Sequence, residues 1–256
     1  MTLGRIAFLR LCHEELSRVK ERDGIGLYAE KRLHSVLKRW ILDDFSAHEQ
    51  KVAERGGKQS RFVADVLTPD GRIFEIQTGK LYPLAKKIQF YIEQTDHPVT
   101  LVHPLLAKKH ISWIDPESGE LVKRQTSPKH EGPLHALAQL RPFLAYLGHP
   151  RFTLLLPLIE ADEYRLLDGW GKNKKRGSHR YELFPLDLID TVTLATKEDL
   201  LALFPAELPE QFTAKIFSKH TRLMGYDLYN ALTVFEALGA IAPCGKEGRA
   251  RLYKRL

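Results

Sequence analysis

Cysteine is scarce in this chain: Cys12 and Cys244 are the only two in 256 residues. They match no CxxC metal spacing and cannot staple a small disulfide scaffold, so they fit a reducing, cytoplasmic setting. Long apolar runs are missing as well. No stretch approaches ~18 uninterrupted apolar residues, which excludes a membrane-spanning helix and argues against a membrane partner. The first residues carry Arg5 and Arg10 and no apolar run of signal length. The eleven histidines form no HExxH and no Cys/His ligand set. His34 and His103 read as packing or capping residues. There is no P-loop, no GxGxxG after a strand and no GxSxG elbow, so ATP-driven and serine-hydrolase chemistry have no footing. Trp40, Trp113 and Trp170 are too scattered to make a base-stacking platform.

What remains is an ordinary globular composition with a basic balance. Hydrophobic residues make up 43%, enough for a real core, and the formal net charge is +7. A positive chain favours an acidic partner, and nucleic acid is the usual one.

Leu9 to Lys20 suits a short amphipathic helix, interrupted at Gly24-Ile25-Gly26. Leu27 to Phe45 carries Leu33, Val36, Leu37, Trp40 and Ile41 at helical spacing. Glu30 shares the edge of that face, where a carboxylate needs a partner. Gln50 to Arg55 reads as a strand before a Gly56-Gly57 turn. Pro83 to Gln94 reads as a helix with proline in its first turn, and Pro98 to His103 as an apolar strand. A strand, a helix and another strand in that order suit a crossover within one sheet.

Between these elements lies RFVADVLTPDGRIFEIQTGK, Arg61 to Lys80. Two apolar runs flank Pro69-Asp70-Gly71, which suits a three-residue hairpin loop with a left-handed glycine. In that register Thr68 faces Arg72, Asp65 faces Glu75 and Val63 faces Gln77. Like charges directly opposed, with Cβ atoms roughly 5 Å apart, destabilise a strand pair. Two readings are open: both acids face water, or a divalent cation lies between them.

The order helix, three strands, helix, strand, with Glu30, Asp65 and Glu75-Ile76-Gln77 in place, resembles the PD-(D/E)XK nuclease superfamily over about residues 20–110. That resemblance implies an α/β chain with a restriction-endonuclease-like core. It implies a metal-dependent endo- or exodeoxyribonuclease that hydrolyses DNA phosphodiesters with Mg2+ or Mn2+. Asp65 and Glu75 would hold the metal with the Ile76 carbonyl, and Glu30 a water or second ion. The family's lysine position holds Gln77 here. A positive charge could come instead from Lys80, brought back by the bend at Gly79, or less easily from Lys58. A non-catalytic DNA-binding or regulatory protein on the same fold is the rival reading, favoured by Gln77. A homodimer is left open.

Ile111–Asp115 and Glu120–Gln125 suit a second hairpin, Pro133 to Leu147 a helix, and Phe152 to Glu160 a buried strand. Whether they extend the first sheet is open. Gly169 to Arg180 (GWGKNKKRGSHR) carries Lys172, Lys174, Lys175, Arg176 and Arg180 and no apolar period. It reads either as a phosphate-contacting loop or as a solvated one. The end of the chain reads as a winged-helix-like module. Its helices are Gln211 to His220 and Tyr226 to Leu238, capped by Gly239. A wing over Pro243–Gly248 follows, with Arg249 and Arg251 as nucleic-acid contacts. In such modules the second helix enters the major groove; Asp227 and Glu236 on it keep a packing role open. The expected division is 1–125, 126–204 and 205–256.

Overall fold

The computed structural model describes residues 4–20, 32–169 and 177–256. Two helices come first, α1 (Arg5–Lys20) and α2 (Arg32–Ile41), then strands β1 (His48–Ala53), β2 (Gln59–Leu67) and β3 (Ile73–Ile76). A 3-10 turn at Tyr82–Leu84 leads into α3 (Ala85–Gln94), and β4 (Val99–Val102) and β5 (Leu105–Ile114) follow almost end to end. Next come β6 (Leu121–Thr126), α4 (Pro133–Leu137), a 3-10 stretch Arg141–Tyr146, and the long strands β7 (Phe152–Leu166) and β8 (His179–Leu194). The chain closes with α5 (Lys197–Leu201), β9 (Gln211–Thr213), α6 (Ala214–Thr221), α7 (Gly225–Ala237), β10 (Ile241–Glu247) and β11 (Ala250–Arg255). The class is α/β.

Among the described residues the first eight strands form one mixed sheet, in the order β1-β2-β3-β4-β7-β5-β6 with β8 on β7. The expected order of helix, three strands, helix and strand is present, and β3 runs parallel to β4 across the α3 crossover. The middle region extends this sheet. β4 pairs with the start of β7 and β5 with its continuation, both parallel, while β8 lies antiparallel along β7. Beyond the core, β6, β5, β7 and β8 project as a four-stranded arm.

Alternation along the strands divides the core into two layers. On one face Phe74, Ile76, Val102 and Leu155 pack with Phe8 and Leu11 of α1 and the α2 stripe. That stripe is the expected one: Leu33, Val36, Leu37, Trp40 and Ile41 are all buried. On the other face Ile73, Val99, Leu101, Leu154 and Leu156 pack with Ile88, Tyr91 and Ile92 of α3. This second layer runs without interruption into Phe212, Phe217, Phe235 and Tyr253. No break in the core accompanies the expected divisions at 125 and 204.

Several expectations need correction. The helix expected over Pro133–Leu147 stops at Leu137 and resumes as the 3-10 stretch. Pro142 lacks the N–H that a continuous helix needs and its ring crowds the preceding turn. The helix expected from Gln211 begins at Ala214, because Gln211–Thr213 pairs with β11 as a third strand. β7 runs six residues past Glu160, and β8 went unforeseen. Gly239 ends α7 region as expected, at φ 74°.

Candidate functional site

The Pro69–Gly71 loop has the expected geometry. The Gly71 N–H donates to the Thr68 carbonyl at 2.8 Å, the Thr68 N–H to Arg72 at 2.9 Å, and Gly71 sits at φ 81°. A side chain at Gly71 would also press on the His97 ring, 3.3 Å from the Cβ position. The ladder pairs Val66 with Phe74 and Leu67 with Ile73. That register sets Asp65 opposite Glu75.

One step further the backbones part. The Ile76 N–H donates to the Asp65 carboxylate at 2.7 Å instead of to a β2 carbonyl. A strand residue's N–H and C=O point to the same side. The Ile76 carbonyl therefore points into the same gap as its N–H. Gln77 points the other way: its N–H donates to Val102 at 2.9 Å, and its carbonyl accepts from His103 Nδ1 at 2.6 Å.

Helices close the gap from both sheet faces. From α2, His34 Nε2 lies 3.4 Å from Asp65. From α3, Lys87 Nζ donates to Glu75 at 2.6 Å and the Tyr91 hydroxyl donates to Glu75 at 3.0 Å. Lys87 and Tyr91 are four residues apart, so they stand one above the other on the helix surface. Glu75 is 1% exposed.

The two carboxyls differ in charge state. Burial pushes Glu75 up, and the charge of Asp65 pushes it further; Lys87 and Tyr91 oppose this, and the carboxyl sits at about 7. Burial would also raise Asp65, but the bond and charge of His34, the Ile76 N–H and the charge of Lys87 hold it below the ordinary range. Burial and the charge of Glu75 raise Tyr91, which stays a neutral donor. Glu75 is thus raised by its burial beside the Asp65 charge, while the partners of Asp65 stabilise its ionised form. Two carboxylates and a backbone carbonyl converging on one gap fit a magnesium ion, which takes one or two carboxylates and fills the rest of its shell with water. Among the described residues no three His, Cys, Asp or Glu side chains gather into a metal cluster.

Beside the gap His103 is buried, and its protonation is disfavoured mainly by that burial. Its Nε2 faces the amide nitrogen of Gln139 at 3.3 Å. The imidazole thus donates through Nδ1 and accepts through Nε2, which fixes the end of β3. Lys80 is exposed, and its charge reaches His103. Lys58 is exposed at the far end of β2.

The structure thus brings together Asp65, Glu75 and the Ile76 carbonyl. It adds Lys87 and Tyr91, which sequence reasoning missed, and sets His34, expected to pack or cap, against the Asp65 carboxylate. Glu30, Lys172, Lys174, Lys175 and Arg176 lie outside the described residues, as does Trp170. Arg180 is exposed on β8, and Arg249 and Arg251 are exposed on the β10–β11 hairpin. They do not adjoin one another as a single patch in sequence or ladder: Arg180 pairs across from Arg165, whereas Arg251 pairs across from Lys246.

Over residues 31–195 the chain matches the family described as a domain of unknown function, DUF8091. The chain belongs to that family. The matched DUF8091 span holds His34, Asp65, Glu75, Lys87 and Tyr91, and ends before α5. The chain is also 25% identical over 231 residues to an uncharacterized protein of Treponema pallidum (strain Nichols), covering 90% of this chain and 87% of that one. No solved structure matches.

Proposed function

We propose that this DUF8091 protein is a metal-dependent nuclease that hydrolyses DNA phosphodiester bonds. The observation that carries the reading is the gap between β2 and β3, on which Asp65, Glu75 and the Ile76 carbonyl converge. Asp65, Glu75 and the Ile76 carbonyl would hold Mg2+ or Mn2+. Bound there, the ion would offset charge on the scissile phosphate and supply a water of lowered pKa.

The chain's own residues do the rest. The Ile76 N–H and His34 fix the Asp65 carboxylate. Tyr91 orients one Glu75 oxygen and Lys87 the other. An ammonium has three donors and Glu75 takes one, so Lys87 can also donate to a phosphate oxygen. Lys87 then supplies the charge that Gln77 cannot, and does so from a helix instead of from β3 or Lys80. The order α5, β9, α6, α7, β10, β11, with sheet order β9-β11-β10, supports reading the end of the chain as a winged helix. The net charge of +7 supports a nucleic-acid partner, and two unpaired cysteines support a cytoplasmic setting.

One observation favours the rival reading of a DNA-binding or regulatory protein without catalysis. Lys87 and Tyr91 already occupy both Glu75 oxygens. Cleavage assays on single-stranded, duplex and branched DNA with magnesium or manganese decide between the two. The nuclease reading expects metal-dependent cleavage that falls about 10²–10³-fold in Lys87→Met, while calorimetry still detects metal binding. Cleavage lost in Lys80→Met but kept in Lys87→Met would return the role to Lys80. No cleavage of any DNA by the intact protein, with either metal, hands the fold to the rival.

A further inference from the structure

Helix α7 buries Leu228, Ala231, Leu232, Val234 and Phe235, and leaves an aromatic face outside. Tyr226 is 90% exposed, Tyr229 60%, and Met224 just before the helix 77%. Tyr226 and Tyr229 are three residues apart, so they share one side of the helix. Large apolar side chains this exposed and this close together are not a packing requirement.

Cations border the same face. Asn230, next to Tyr229 and one turn from Tyr226, accepts from Arg141 Nη1 at 3.4 Å. Arg222, exposed in the left-handed conformation that ends α6 (φ 59°), stands two residues before Met224. Arg141 lies two residues from Gln139, whose amide meets His103, whose ring holds the Gln77 carbonyl.

We infer that the exposed Tyr226–Tyr229 face, with Arg141 and Arg222, binds a nucleic acid strand by stacking on its unpaired bases. The choice of occupant follows from charge and shape. Tyrosine rings stack on any base, whereas bases inside a duplex present no free face. Guanidinium groups near the face, Arg141 through Asn230 and Arg222 two residues before Met224, neutralise the strand's phosphates. This rests on the nucleic-acid partner proposed above and narrows the substrate to one with a single-stranded segment.

The test is fluorescence anisotropy in EDTA, with a labelled 20-nucleotide single strand and a blunt duplex of the same sequence. The expected result is tighter binding of the single strand. Tyr226→Ala/Tyr229→Ala should weaken it about 30-fold or more, at ~1–3 kcal/mol for each of two stacked bases, and leave its salt slope unchanged. Arg141→Ala should instead reduce the salt slope by about one. Phenylalanine at both positions should restore binding, because it keeps the ring. Both tyrosines are exposed, so unchanged circular dichroism serves as the folding control. Equal binding of the single strand by the double-alanine variant overturns the inference, as does equal weakening on both DNAs or no binding of either. Cleavage with magnesium alongside unchanged binding by that variant removes the face and leaves the metal site standing. Ring-dependent binding without any cleavage keeps the face and removes the metal site.

Discussion

Acids gather in the β2–β3 gap and in the arm, and their company differs in the two places. In the arm each is matched by nearby cations. Glu163, 3% exposed, lies 2.9 Å from Lys109 and 2.5 Å from Arg165. Burial would raise its carboxyl, but those two cations hold it below the ordinary range. Glu160 has His110 at 2.7 Å and Lys108 at 3.1 Å, and Asp162 has Arg124 at 2.8 Å. In the gap between β2 and β3, Asp65 and Glu75 have one lysine and one histidine between them, and Glu75 stays at about 7. The arm's acids each face a cation of the protein, although one Asp162 oxygen is buried without a hydrogen-bond partner. In the gap two acids share one site, and the charge of Asp65 bears on Glu75; the proposed cation site rests on that contrast.

The comparison breaks most visibly if the arm is disturbed. Glu163→Gln leaves Lys109 and Arg165 facing a neutral amide and should cost about 3 kcal/mol in a urea melt. A cost below about 0.5 kcal/mol would mean that the arm's pairing is ornamental. Magnesium sharpens the contrast from the other side. At 10–100 times its Kd it should stabilise the protein by about 1.4–2.7 kcal/mol. Asp65→Asn should abolish that response and Glu163→Gln should keep it; equal responses in the two variants would erase the distinction.

The smallest effect is a pH dependence. Glu75 has an ordinary value of 4.5 and sits at about 7 in the folded chain. The folded state therefore holds this proton more tightly than the unfolded state. Its contribution to stability is fully present below about 4.5 and is lost as pH rises through about 7. Between pH 5 and pH 8, without metal, the melting temperature should fall by a few degrees from this group alone. Glu75→Gln should flatten that part of the curve. An equal slope in both proteins would show that Glu75 titrates normally.

The hairpin that carries this site was legible because its signals are local. Pro69, Asp70 and Gly71 fix the loop, the loop fixes the register, and the register sets Asp65 against Glu75. The α2 stripe was legible for a similar reason, since five apolar residues recur at helical spacing. Lys87 and His34 were not, because each flanks a buried stripe on a helix and nothing in the chain says which strand residue lies opposite. The spacing of Lys87 and Tyr91 around Ile88 was a faint signal, since it sets a cation and a phenol on the edge of a buried face. β8 was hidden by its irregular pairing. Register shifts against β7 at three places spoil the two-residue alternation, and Pro185 sits inside it. The break between α4 and the next 3-10 turn was readable in Pro142 and was passed over in favour of a leucine period.

The apolar layer that begins at Val52 is completed only by Phe212, Phe217, Phe235 and Tyr253. Phe204 alone meets Phe212, Phe217 and Phe235 at 6.2, 6.4 and 5.0 Å between ring centroids. A chain growing from the ribosome cannot close this layer until the residues after Phe204 have emerged. Until then α4 and Arg141–Tyr146 leave bare the apolar surface on which α7 packs, a state prone to aggregation. Synthesis of the last fifty residues is thus the folding step for much of what precedes them. A nascent chain stalled before that point should need a chaperone's cover.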